Sequence, residues 1–151
     1  MNQKAFKNYQ STQVTTAKPE KILLLLYEGC FKFIRLAKSK LDEGKTSEKG
    51  KNISKAISVV SELVNTLDHK VGGQLSQDLE SLYLFVIDKL IEANMKNDKG
   101  SLEAAERILT TLYEGWQDVV NHPRADGVPS AQLQPELHAA LTNAQAGQSK
   151  G

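Results

Sequence analysis

Along this chain apolar residues recur with the four-three rhythm of amphipathic helices, and the segments between them show no alternation of period two. Pro19 followed by Glu20 is a favourable helix opening, because proline suits the first turn and a carboxylate there complements the helix dipole. From that point Leu23, Tyr27, Cys30, Ile34, Ala37 and Leu41 keep one stripe facing a partner until Gly44 offers a stop. Ile53, Ile57, Val60, Val64, Leu67 and Val71 predict a second helix, with a corner at Gly72-Gly73. Leu75, Leu79, Leu82, Val86, Leu90 and Ala93 predict a third, ending at the polar break Asn97 to Gly100, where Asp98 is placed to cap the next helix. The fourth reads Leu102, Ala105, Leu109, Leu112, Trp116 and Val119, and ends at His122-Pro123.

Helices of about 20 to 26 residues joined by short connectors pack antiparallel with their neighbours. The expected fold is therefore all-α, an antiparallel up-down four-helix bundle over residues 19–121. Residues 1–18 differ in composition, with three lysines and no acid, and are expected to form an N-terminal lid segment. Residues 122–151 hold three of the four prolines and are expected to form a flexible tail. Within that tail Leu133, Leu137 and Leu141 are spaced i, i+4, i+8, enough for one short, weak helix.

Charge and cysteine content narrow the function. With 19 Lys+Arg against 18 Asp+Glu, the chain lacks the basic excess by which proteins hold phosphate backbones, which argues against a nucleic-acid partner. Its one cysteine, Cys30, forms no internal disulfide and suits a reducing compartment, so the cytoplasm is the expected location. The longest apolar runs, Ile22 to Tyr27 and Leu82 to Ile87, are far shorter than the roughly 20 residues that span a bilayer, so no stable membrane insertion is expected. No apolar segment follows Lys4 and Lys7 to make a secretory signal.

Catalytic and cofactor chemistry find little support. A di-iron bundle needs Glu-x-x-His motifs, which are missing, and His69, His122 and His138 share no helical face, so neither metal nor cofactor is expected. Gly44-Lys45-Thr46 resembles the end of a phosphate-binding loop, but Ser39 stands where the first glycine should be and a helix precedes it. Cys30 lies in the first apolar stripe as a small hydrophobe. The acids Asp42-Glu43 and Glu103 with Glu106 lie among cations on what reads as a solvated face. No enzyme is expected.

What the sequence does have is apolar surplus. A bundle helix needs one stripe roughly 100° wide, yet Ile22, Leu24, Leu25 and Tyr27 crowd the first helix with Leu23 and Leu26, and Tyr83, Leu84, Ile87 and Ile91 widen the third. Ile108 and Tyr113 add to the fourth. Either an irregular bundle or the N-terminal segment covers these side chains, or they line a groove for a partner helix anchored at i, i+3, i+4 and i+7. Phe6 and Tyr9, three residues apart in the basic N-terminal segment, are then candidates for a displaceable lid.

Tyr9, Val14-Thr15-Thr16-Ala17-Lys18-Pro19-Glu20 and Leu26-Tyr27-Glu28-Gly29 resemble the N-terminal signature of the flagellin-specific export chaperones of the FliS family. Leu67-Asp68, Gly72-Gly73, Leu79, Leu82-Tyr83, Leu90, Ala93-Asn94, Asp98 and Trp116 extend the similarity to about Val120. The resemblance implies a cytoplasmic helical chaperone that binds the C-terminal, otherwise disordered segment of flagellin, blocks premature polymerisation and assists delivery to the flagellar type III export gate. It implies no cofactor. By position in the motif it assigns the covering aromatic to Tyr9, with Phe6 as companion, and gives Cys30 a place where the family often has alanine. The expected site comprises Phe6, Tyr9, Val14, Ile22, Leu24, Leu25, Tyr27, Tyr83, Leu84, Ile87, Ile91, Ile108 and Tyr113, on a chain expected to be monomeric when free. The competing expectation is a structural homo-oligomer whose surplus stripes pair with each other, without a flagellin client.

Overall fold

The computed structural model describes residues 19–122. They form four helices: α1 Pro19–Asp42, α2 Thr46–Asn65, α3 His69–Lys96 and α4 Lys99–Asn121. Each packs against its sequence neighbour and α4 closes back on α1, giving the square section of an up-down bundle. The all-α four-helix architecture matches the periodicity. The expected lid and tail lie outside the described residues.

Local chemistry sets the boundaries. Pro19 opens α1, with Glu20 in its first turn and Lys40 in its last. Gly44, at φ 73°, makes the turn into α2. Asp98 caps α4 by accepting from the Gly100 amide, 2.9 Å away, and α3 closes with Asn97 in the left-handed conformation. Lys49, buried near the start of α2, reaches across to that closing turn. Its ammonium donates to the Asn94 carbonyl at 3.0 Å and to the Asn97 side chain, so α2 supplies donors that the end of α3 lacks.

The second corner differs from expectation. Helix α2 stops at Asn65 rather than running to Val71, because the Asp68 carboxylate accepts from the Lys70 and Val71 amides and starts a new helix there. Val71 consequently stands 72% exposed instead of continuing the stripe. The Gly72-Gly73 pair is a kink inside the first turns of α3, with Gly73 at φ 52°, ψ −126°. Only glycine adopts that conformation cheaply, so Gly73→Ala should cost about 1–3 kcal/mol in chemical denaturation. A change in stability under a few tenths of a kcal/mol would mean that the corner relaxes freely.

The core runs the length of the bundle, through Ile34, Ile53, Val60, Leu82, Leu90, Leu102, Leu109 and Leu112. In α2 the innermost positions are Ile53, Ala56, Val60 and Leu63, while Ile57 and Val64 flank them half-buried. Cys30 is fully enclosed, its thiol 3.8 Å from the Ala56 carbonyl, and burial pushes its pKa up to about 12. That is the environment of a packing residue rather than a nucleophile. Among the described residues no helix is long and apolar enough to cross a membrane.

Candidate binding site at the open end of the bundle

Up-down topology brings the start of α1, the α2–α3 corner and the last turns of α4 to one end of the bundle. The chain there encloses an apolar pocket of about 410 Å³. Pro19, Ile22 and Leu23 form one wall, Leu67, Val71 and Leu75 another, and Leu79, Tyr83 and Trp116 the floor. Glu20 and Asp68 are the charged groups at its edge. Concave, largely apolar sites with few polar groups are the usual receptors for apolar ligands or side chains.

Beneath the pocket lies a buried polar pair. The Tyr27 and Tyr83 hydroxyls meet at 2.7 Å across the diagonal between α1 and α3, both side chains fully enclosed. Burial raises the Tyr83 pKa to about 12 and raises that of Tyr27 well above the ordinary phenol value, with the neighbouring tyrosine adding to the shift of Tyr27. Among the described residues the buried Trp116 indole Nε1–H has no hydrogen-bond partner, although Trp116 opposes the upward shift of both phenols. Phe31 and Tyr113 complete the aromatic cluster, edge to face with centroids 5.4 Å apart.

The second feature is on the outside of α3. Leu84, Ile87, Ile91 and Met95 follow one another at spacings of three, four and four, which places them along one side of the helix for about 16 Å. Leu84 is 47%, Ile91 42% and Met95 78% exposed, and Ile87 is half-buried beside them. On α1, Leu25 is exposed, while Ile22 and Leu24 are partly covered.

The expected site residues therefore separate into four groups. Leu84, Ile87, Ile91, Leu25, Ile22 and Leu24 present apolar surface, and Ile22 does so within the pocket. Tyr27, Tyr83 and Ile108 are buried: Tyr27 and Ile108 lie in the core, and Tyr83 lies at the floor of the pocket. Tyr113 is intermediate, with its ring stacked on Phe31 and Tyr27. Phe6, Tyr9 and Val14 lie outside the described residues. Periodicity reads Val71 and the pocket-lining Leu67, Leu75 and Trp116 as core-stripe positions, and Met95 falls outside the expected site. Met95 continues the outer stripe in register and was legible in principle, whereas the pocket is assembled from four elements.

Comparison with known proteins spans the whole bundle. Residues 1–123 match the family described as "Flagellar protein FliS". The chain belongs to the FliS family. Among its FliS relatives, the flagellar secretion chaperone FliS of Bacillus subtilis is 34% identical over 124 residues, covering 82% of this chain and 92% of that protein. The flagellar secretion chaperone FliSB of Pseudomonas aeruginosa is also 34% identical, over 79% of this chain and 97% of its own length. The FliS of Salmonella typhimurium is 31% identical over 70% of this chain and 79% of its own.

Proposed function

We propose that this FliS-family protein is a flagellar export chaperone, without catalytic activity, that acts in the bacterial cytosol. It binds the C-terminal segment of flagellin, keeps that segment from polymerising prematurely and assists its delivery to the type III export gate. The observation that carries this reading is the exposed apolar stripe Leu84, Ile87, Ile91 and Met95, on a bundle whose relatives are named flagellar secretion chaperones. A helix face solvated at such residues on a small domain favours an amphipathic partner.

The energetics require an extended contact. Ordering a disordered client costs about 1–2 kcal/mol per residue for the backbone alone, so only a large apolar surface leaves a net gain. The outer stripe and Leu25 lie on different helices, which suits a client that wraps rather than one that plugs a single pocket. The N-terminal segment, through Phe6 and Tyr9, covers part of this surface until the client displaces it.

Co-purification tests the proposal directly. Full-length flagellin should be retained by the chain, and flagellin lacking its C-terminal segment should be lost. Sedimentation should show a monomer becoming a one-to-one complex. Undiminished capture of the truncated flagellin, or a tight symmetric oligomer indifferent to flagellin, would favour the homo-oligomer.

A further inference from the structure

Residues 124–151 lie beyond the part of the chain that matches the FliS family, and the Pseudomonas relative is 97% covered by 79% of this chain. The tail thus lies outside the matched bundle. Its sequence has helical features of its own. Pro135-Glu136 repeats the proline-glutamate opening of α1, and Leu137, Ala140, Leu141 and Ala144 are placed at i, i+3, i+4 and i+7, the anchor spacing of a groove-binding helix. Alone, so short a helix is marginal in water, because nucleation is costly and no packing repays it.

The end pocket is where such a segment meets an apolar surface. Trp116 on its floor is six residues from His122, about 9 Å along α4, so the chain leaves the bundle beside the pocket. The eleven residues from Pro123 to Leu133 span up to about 36 Å when extended, enough to turn back over the rim. A tether of that length holds the segment at millimolar effective concentration, so even weak docking is substantially occupied.

We infer that the tail, through Leu137 and Leu141, docks as a short helix into the pocket formed by Pro19, Ile22, Leu67, Val71, Leu75 and Trp116 of its own chain. The tail then acts as a built-in occupant of the bundle's open end. The inference stands apart from the flagellin proposal, since no client enters its test.

Trp116 is the only tryptophan in the sequence, so its emission reports on the pocket alone. In the full-length chain, Leu137→Asp with Leu141→Asp should shift Trp116 emission to the red and increase its quenching by acrylamide, with the helical circular dichroism of the bundle retained. Truncation after Pro123 should reproduce both changes. The wild-type signal should be independent of protein concentration, as docking within one chain requires. Unchanged emission in both variants would overturn the inference. So would a signal that varies with concentration, which indicates a second copy, or one that responds to deletion of residues 1–18 and not to the tail variants.

Discussion

Replacing Leu84 and Ile91 together by aspartate should weaken flagellin binding about a thousandfold, or ~4 kcal/mol, while leaving the free protein folded. Both side chains are already close to half exposed, so charging them costs the isolated bundle little; surface changes of this kind usually fall within about 0.5 kcal/mol. In the complex the two carboxylates would have to leave water for an apolar contact without partners, at a cost of about 2 kcal/mol or more each. Titration calorimetry measures the affinity, and a thermal melt checks the fold. Binding that changes by less than about threefold, with an unchanged melt, would remove the outer face of α3 from the client surface.

The stripe behind that experiment was legible in the sequence, and particular residues show where such legibility ends. Leu84, Ile87 and Ile91 were identified because a helix that already owns a core stripe has no internal use for a second one on its far side. Tyr27 and Tyr83 are buried for the complementary reason. Tyr27 belonged both to the core stripe and to the crowded run Ile22 to Tyr27, and periodicity cannot decide which membership prevails. A bond between hydroxyls 56 positions apart decides it, pinning both rings inside the bundle.

Ile108 is buried likewise. It is adjacent to the core residue Leu109, and the bundle is wide enough on that side of α4 to bury both. The α2 boundary failed because Leu67 and Val71 keep the apolar rhythm, whereas the cap at Asp68 and the backbone freedom of Gly73 override it. The pocket exceeds any one-dimensional pattern: its walls are contiguous only after the chain has reversed three times. The excess of apolar residues is therefore divided, part completing an aromatic-rich core and part remaining exposed on α1 and α3.

The same buried hydroxyl pair should make the bundle steeply sensitive to alkali. Cys30 and Tyr83 both have pKa values pushed up to about 12, from ordinary values of 9.0 and 10.0, and Tyr27 is also raised well above 10.0. Burial is the largest cause for all three, since each ionised form would sit in a poorly solvated interior. A raised acid pKa means that the folded state keeps a proton that the unfolded state sheds. Stability is full below about pH 9 and falls as pH rises through the interval to about 12 and beyond. Each group contributes about 1.4 kcal/mol per pH unit, so the three together remove roughly 4 kcal/mol per unit once all are ionised in the unfolded chain. Against a domain stability of about 5–15 kcal/mol, unfolding should be far advanced by about pH 12. The double variant Tyr27→Phe with Tyr83→Phe separates the phenols from everything else that titrates. Removing both partners of the hydrogen bond leaves neither hydroxyl stranded and should cost little at neutral pH, whereas either single variant should cost about 1–3 kcal/mol. The double variant should unfold at a higher pH than the wild type, because two of the three linked protons are gone while every lysine is shared. Coincident alkaline transitions, followed by circular dichroism, would show that the pair is not what limits the fold at high pH.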